Sequence, residues 1–441
     1  MKKWIWIPLA ALAVLVATLP WMLSVPPGKW LAERSLSERL RGKIEIGTLQ
    51  LSWFGPQSAK DIRFQSTDVD ATIRELSSNV SLWNIGAFQR SFKMNGGAIQ
   101  IHAADYPPGA VENVNATVNG AQIEAAGTTQ EGGESGSFVF HATTQESGAI
   151  ALDIALTRMP STLLDRYLQA DGKLAALLGS SFNANGAAKI HGTLGTVDLD
   201  LASPNATASI NAAFTDSAVT LREPLLATLH LTPRSSMQLL GRALESQDPI
   251  TLKLQPEGFL CPRTFSLGAC QIERGTLGLG RLNIQNVNSD SPLFSLLKRN
   301  PRAGSMNAWF TDMDFSLARG KLDLSRVDCL LDRGIHLCAW GSIYLVRDKL
   351  DLIVGIPADT LMNALGISGL PESYVLKIPV QGSIQNPEAI TGPASAKIAA
   401  LVAGQSALKQ TPFGAVLGIF NAATNDSSDV PPPKRPFPWE R

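Results

Sequence analysis

The sequence has no surplus of charge of either sign, since 38 Lys and Arg residues balance 38 Asp and Glu residues. Chains that bind nucleic acid usually carry a basic surplus, so the balance argues against a nucleic-acid partner. Charged residues make up only 17% of the chain, below the roughly 25% of an average soluble domain, while hydrophobic residues reach 44%. Low charge with many apolar residues is typical of extensive sheet or of contact with lipid.

Recognisable catalytic motifs are also missing. The five histidines are scattered, and no nucleophile elbow, zinc-protease motif or phosphate-binding loop occurs. We therefore expect a protein that is not an enzyme and has no cofactor-binding or metal-binding residues. A membrane-anchored hydrolase is an alternative, but it would need titratable groups clustered in a pocket, and scattered histidines do not favour that.

The N-terminal segment lacks charge over residues 4–25. A helix of that length would be roughly 33 Å long, enough for a hydrocarbon core of about 30 Å. Trp4, Trp6 and Trp21 lie near its two ends, where interfacial aromatic residues are favoured. We predict an uncleaved membrane anchor over residues 1–27; a cleaved signal peptide is the alternative. More Lys and Arg residues follow the span than precede it, which by itself favours a cytoplasmic body.

The four cysteines form two pairs with the same spacing of nine residues, Cys261 with Cys270 and Cys329 with Cys338. A two-residue turn at Arg333–Gly334 would place Cys329 directly opposite Cys338 on paired strands, close to disulfide distance. We predict two local disulfides, with a zinc site and four reduced, buried thiols as alternatives. Disulfides would place the body in an oxidising compartment such as a bacterial periplasm, and this outweighs the charge count.

Alternation of apolar and polar residues dominates the chain after residue 42. The pattern recurs, for example, at residues 150–156, 197–201, 313–317 and 350–354, and short turn-like segments separate the runs. It predicts antiparallel strands with one apolar face and one polar face. The predicted fold is mainly β, an elongated, curved antiparallel sheet that forms a groove, with an N-terminal transmembrane helix and a few short helices.

The short helices include a stripe over residues 161–178 broken by Gly172, and a helix over residues 359–365 with Asp359 as its N-cap. The predicted segments are the anchor at 1–27, a β region with helical insertions at 28–257, a β meander at 258–392, and a helix with a Pro-rich tail at 393–441. We expect the tail over residues 425–441 to be extended and mobile.

Two stretches near the ends of the chain carry a family resemblance. Residues 44–56 (IEIGTLQLSWFGP) and 61–64 (DIRF) follow a short basic helix, and residues 379–387 (PVQGSIQNP) lie near the other end. Together they resemble the N-terminal and closing motifs of the AsmA-like family, the AsmA- and TamB-type envelope proteins of bacteria. Between about residues 110 and 290 the resemblance is one of architecture only.

The resemblance implies a curved sheet forming a groove, anchored in the bacterial inner membrane, with most of the chain in the periplasm. Family members are implicated in moving phospholipid between membranes or in outer-membrane homeostasis, so the implied partners are membrane lipids. The family has no catalytic motif to carry over. The alternative is a non-transporting periplasmic scaffold or outer-membrane assembly factor, whose β body would have a filled core.

Overall fold

The computed structural model describes residues 24, 26–40, 42–67, 69–81, 91–101, 109–131, 133–167, 170–263, 268–285, 296–297, 304–384, 386–408 and 429–440. The chain divides into two compact units, residues 1–204 (unit 1) and 205–441 (unit 2). Both are dominated by antiparallel strands, as the alternating pattern predicts.

The described residues of unit 1 form ten strands and three helices. The strands are β1 (Lys43–Gln50), β2 (Gln57–Gln65), β3 (Val69–Ser78), β4 (Ser91–Ile101), β5 (Gly109–Asn119), β6 (Gln122–Glu131), β7 (Glu134–Thr144), β8 (Ile150–Pro160), β9 (Ser181–His191) and β10 (Leu194–Ala202). The helices are α1 (Pro26–Leu40), α2 (Ser161–Tyr167) and α3 (Lys173–Leu178). Each strand pairs with the next in sequence, so the sheet is a simple antiparallel meander.

The first strand of unit 1 has its free edge covered by α1. The Ser37 hydroxyl accepts a hydrogen bond from the Ile44 amide at 3.0 Å, and the Glu33 carboxylate accepts one from the Ile46 amide at 2.7 Å. An uncovered edge would present a row of unpaired backbone groups to other chains. The helix therefore closes this end of the sheet by hydrogen bonding.

In unit 2 the part of the chain that the structure describes has fifteen strands and three helices. The strands are β11 (Ala206–Phe214), β12 (Ala218–Leu221), β13 (Leu225–Leu229), β14 (Leu244–Ser246), β15 (Ile250–Leu254), β16 (Cys261–Pro262), β17 (Ile272–Gly278), β18 (Arg281–Gln285), β19 (Ser305–Phe310), β20 (Met313–Ala318), β21 (Lys321–Leu331), β22 (Ile335–Tyr344), β23 (Lys349–Pro357), β24 (Val375–Gly382) and β25 (Pro387–Ala389). The helices are α4 (Pro233–Leu240), α5 (Ala358–Leu365) and α6 (Gly392–Leu408), and short 3-10 turns lie at Asp332–Gly334 and Pro438–Glu440.

The pairing in unit 2 is less regular than in unit 1. One ladder runs β11, β13, β15, β17, β20, β21, β22, β23, β24 and β25, always antiparallel. A branch of β14, β18 and β19 joins it at the far end of β21. Helices α5 and α6 cover one face of β22–β24, and the core between them includes Ile356, Leu361 and Leu376, each at most 1% exposed.

The helices test two local predictions. The stripe at 161–178 does break at Gly172, which has φ of 81°, and gives α2 and α3. The predicted N-cap at Asp359 is wrong: Pro357 occupies that position, and Asp359 lies in the first turn of α5. The Asp359 carboxylate is held instead by the ring of His336 at 2.8 Å.

None of the described helices is both long enough and apolar enough to cross a bilayer. The predicted anchor residues Trp4, Trp6 and Trp21 lie outside the described residues.

Candidate functional site

One face of the unit 1 sheet is apolar from its first strand to its last. Directly paired residues on neighbouring strands point to the same side, so a face can be traced partner by partner. The trace gives a row with one residue from each strand, the first apolar row: Leu49, Ala59, Leu76, Met94, Ala116, Ala125, Phe140, Ile154, Gly186 and Leu199. No polar side chain interrupts it.

A second apolar row runs beside the first over seven strands. Its members are Phe92, Val118, Ile123, Ala142, Leu152, Ala188 and Val197. The residues between them point to the opposite side and form a mostly polar row: Lys93, Thr117, Glu124, His141, Asp153, Ala187 and Asp198. The two faces of unit 1 therefore differ sharply in polarity.

The apolar face is only partly covered by the rest of unit 1. Nine of the ten residues in the first apolar row are neither fully buried nor fully exposed, and Ala59 alone is buried. Helices contact the sheet near its ends, α1 at β1 and α2 with α3 at β8 and β9. A contiguous apolar surface of this kind is typical of sites that bind lipid or protein.

A second cluster lies in unit 2 and centres on Asp328, whose side chain is fully buried. Its carboxylate accepts hydrogen bonds from Arg326 Nε at 3.0 Å and Nη2 at 2.6 Å, and from His336 Nε2 at 3.0 Å. His336 Nδ1 faces the Asp359 carboxylate at 2.8 Å. With a protonated ring, two cations balance two carboxylates, which is the condition under which buried charge is tolerated.

The electrostatics of His336 follow from this arrangement. Burial disfavours the protonated ring, but the hydrogen bonds to Asp328 and Asp359 outweigh it and raise the pKa of His336 to about 9. Burial also acts on Asp359, yet its hydrogen bond with His336 lowers the pKa of that carboxyl. Because both ring nitrogens are engaged by carboxylates, the ring has no free nitrogen to act as a base.

The C-terminal segment, residues 429–440, packs over the same cluster. Phe437 is 3% exposed, and its ring lies 5.0 Å from the ring of His336 and 4.9 Å from that of Trp439. Arg326 Nη1 donates to the carbonyl oxygen of Pro431 at 3.1 Å. The expectation of a mobile tail is therefore wrong for these residues.

A cavity of about 930 Å³ adjoins the segment. Its walls combine Arg326, His336 and Asp359 with the start of α5, the loop after it and the segment itself.

The predicted cysteine pairs have different outcomes. Cys261 and Cys270 are joined by a disulfide, which confirms the first pair. Cys329 and Cys338 are free and buried, so the second predicted disulfide is wrong. The turn between their strands has three residues rather than two, so Cys329 pairs with Leu337 and Cys338 pairs with Asp328.

That slip of one residue sends the two thiols to opposite faces of the hairpin. Cys329 packs into the core beneath α5 and α6, whereas Cys338 packs with Trp340 and Val375. Burial raises the pKa of each thiol to about 12, which makes both poor nucleophiles.

The same one-residue difference in register brings the charged cluster together, because it places Asp328, His336 and Cys338 on one face of the hairpin. Sequence reasoning did not predict this cluster. The sequence gives one local sign of it, the Arg-x-Asp spacing at 326–328. Residues two apart on a strand share a face, so Arg326 and Asp328 can form an ion pair. The contacts to Asp359 and residues 431–437 join parts of the chain far apart in sequence.

The fold and the site together define a mainly β protein with a one-sided apolar sheet in one unit and a filled core in the other. No protein-family profile, curated protein or solved structure matches the chain.

Proposed function

We propose that this chain is an envelope protein of the AsmA-like kind, anchored in a bacterial inner membrane with most of its length in the periplasm. In this proposal the unit 1 sheet curls into a groove that binds phospholipid acyl chains, conducts them between membranes and so supports outer-membrane homeostasis. The observation that carries the proposal is the apolar face that runs unbroken through all ten strands of unit 1. The charge-free run at residues 4–25 supports the membrane anchor, and the Cys261–Cys270 disulfide supports the periplasmic location.

The energetics of the apolar face favour an acyl chain as its occupant. Each methylene removed from water contributes roughly 0.8 kcal/mol. Ten strands spaced about 4.8 Å apart give a face roughly 45 Å across. The face offers no polar group within its first row, so it suits the hydrocarbon part of a lipid and leaves the head group in water.

Lipid analysis of the purified full-length chain tests the proposal. The chain is extracted in detergent, washed, and its bound lipid is released into organic solvent and identified by mass spectrometry. We expect phospholipid at a fixed ratio to protein. A chain that carries no lipid beyond that of an unrelated single-span protein purified in parallel would contradict the proposal.

Two adjacent alanines in β6 provide a matched pair of variants. Ala125 belongs to the first apolar row, whereas Ala126 points to the opposite face and pairs with Val139. We expect Ala125→Asp to remove most of the bound lipid, because the acyl chain would have to desolvate a carboxylate. Ala126→Asp, which makes the same chemical change one residue away, should retain lipid. Equal loss in both variants would point to misfolding rather than to a lipid face.

The second candidate is a non-transporting periplasmic scaffold or assembly factor, and the filled core of unit 2 favours it. There α5 and α6 cover one face of β22–β24, and Ile356, Leu376 and Ile378 in the core that they form are each at most 1% exposed. The two functions differ in what Ala125→Asp does in cells. If the chain is a scaffold, cells that carry the folded variant keep a normal outer membrane. If it is a lipid conduit, the variant causes the same outer-membrane defect as deletion of the chain.

A further inference from the structure

The C-terminal segment of unit 2 has the chemistry of a bound peptide. Five of the twelve residues in 429–440 are proline, and the segment also carries Lys434, Arg435, Phe437 and Trp439. Proline-rich segments are held in an extended conformation before they bind, so they lose little entropy on docking against aromatic side chains. The twenty residues 409–428 separate this segment from the end of α6. Twenty residues span at most roughly 70 Å, so covalent connection to α6 does not by itself fix where the segment binds.

Most of the charged groups beneath the segment are bonded to one another rather than to the segment. Asp328 is satisfied by Arg326 and His336, and the Asp359 carboxylate by His336 and the Thr360 amide. Arg326 has one nitrogen left over, Nη1, and that nitrogen donates to the segment. The charged side chains of the receptor side are therefore held in place by bonds within residues 326–360, and the segment adds the hydrogen bond to Arg326 Nη1 and the packing of Val430 and Phe437.

The contacts between the two sides combine aromatic anchors with matching charge. Phe437 lies against His336, and Trp439 lies 6.3 Å from Trp309 in an edge-on arrangement. Lys434 Nζ lies 2.5 Å from the Asp314 carboxylate, and Arg435 lies 2.7 Å from that of Glu372. Basic side chains on the segment thus meet acidic side chains on the surface. A buried aromatic anchor, here Phe437, beside a half-buried Trp439 and a charged rim is the usual anatomy of a peptide interface.

We propose that this face of unit 2 is a peptide-binding site for a proline-rich, basic segment of a partner protein with two aromatic anchors, and that residues 429–440 are its tethered, exchangeable occupant. The aromatic anchors supply affinity, and the carbonyl of Pro431 on Arg326 fixes the register. Because the tether keeps the segment at high local concentration, a partner peptide of this chemistry binds only when it displaces the segment. The proposal does not depend on the lipid function of unit 1.

Cleavage of the tether in the full-length chain tests the proposal. A protease site is introduced within residues 409–428, the folded chain is cut, and retention of the C-terminal peptide is followed with its exchange against a fluorescent synthetic peptide of residues 429–441. We expect the cut peptide to remain bound and then to exchange. Immediate loss of the peptide from a chain that stays folded by circular dichroism would overturn the proposal. So would a peptide that never exchanges short of unfolding, because it would then be part of the core.

Two variants of the synthetic peptide sharpen the result. Phe437→Ala removes the buried anchor and should weaken competition roughly 30-fold or more, as loss of a central aromatic contact does. Pro432→Ala alters an exposed residue of the same peptide and should change competition only slightly. Equal competition by both peptides would also overturn the proposal, because binding would not then depend on the buried anchor.

Discussion

The charge of His336 is set by its surroundings in the folded chain. Its ring is hydrogen-bonded to Asp328 and Asp359, and the two carboxylates raise the pKa of the ring to about 9, against 6.5 in an unperturbed histidine. The folded state therefore holds a proton that the unfolded state releases near neutrality. A raised pKa of this kind contributes stability that is fully present below about pH 6.5 and is lost as the pH rises through 9.

We therefore predict that the wild-type chain loses on the order of 3 kcal/mol of unfolding free energy between pH 6 and pH 9.5 because His336 deprotonates. Denaturant unfolding monitored by tryptophan fluorescence at the two pH values measures the loss. In His336→Asn the free energy of unfolding should depend much less on pH. His141→Asn, which changes an exposed histidine of unit 1, serves as the control and should keep the wild-type slope. Equal slopes in all three chains would contradict the prediction.

The thiols of Cys329 and Cys338 lie on opposite faces of one hairpin, which predicts a specific labelling pattern. In the folded chain both should resist alkylation, because burial raises each pKa to about 12 and restricts access. After denaturation without reductant, both should label fully, while Cys261 and Cys270 stay linked. Peptide mapping by mass spectrometry reads all four residues at once. A linked peptide containing Cys329 and Cys338 would show that the register of the hairpin differs.

At the level of elements, the hairpin of β21 and β22 shows what periodicity predicts and what it leaves open. Alternation predicts both strands, since it reports which residues share a face. The register depends on the turn, and there Arg333 adopts φ of 66°, a left-handed conformation that a residue other than glycine seldom takes. A turn of three residues rather than two reverses the faces of one strand, and no pattern within the strands reveals the length of the turn.

Helix α4 offers a prediction at the same scale. Thr232 caps its N-terminus: the hydroxyl accepts from the Ser235 amide at 3.2 Å, and the Ser235 hydroxyl accepts from the Thr232 amide at 2.9 Å. Thr232→Ala should lower the free energy of unfolding by about 1 kcal/mol, because the first-turn amide loses its acceptor. Thr232→Ser keeps the hydroxyl and should stay close to wild type. Hydrogen exchange of the α4 amides and denaturant midpoints measure the stability of the two variants. If Thr232→Ser loses as much stability as Thr232→Ala, the loss does not come from the missing hydroxyl cap.

For the whole molecule, local pattern predicted far more of unit 1 than of unit 2. In unit 1 each strand pairs with its neighbour in sequence, so alternation and short turns suffice to give the meander. In unit 2 the charged cluster joins residues from three elements between Arg326 and Asp359, and the contacts of the C-terminal segment join residues about a hundred positions apart, such as Arg326 and Pro431. Contacts of that range leave no periodic trace in the sequence, so the sequence alone predicts a mobile proline-rich end.

The extent of the apolar face separates a lipid conduit from a local lipid pocket. A conduit requires acyl chains at every point of the first apolar row, because a gap would expose the lipid to water midway. Photoreactive phenylalanine analogues placed singly at Leu49, Leu76, Phe140 and Leu199 sample the row from β1 to β10. We expect each to form lipid adducts in intact cells, detected by mass spectrometry of the purified chain.

Val139 provides the matched control for this experiment, because it neighbours Phe140 in β7, points to the opposite face and is 39% exposed. An analogue at Val139 should form few lipid adducts, although it is well exposed to solvent. Adducts confined to one end of the row would favour a single binding pocket over a conduit. Adducts as frequent at Val139 as at Phe140 would mean that lipid contact does not follow the apolar face, and the polarity difference between the two faces of unit 1 would then need another explanation.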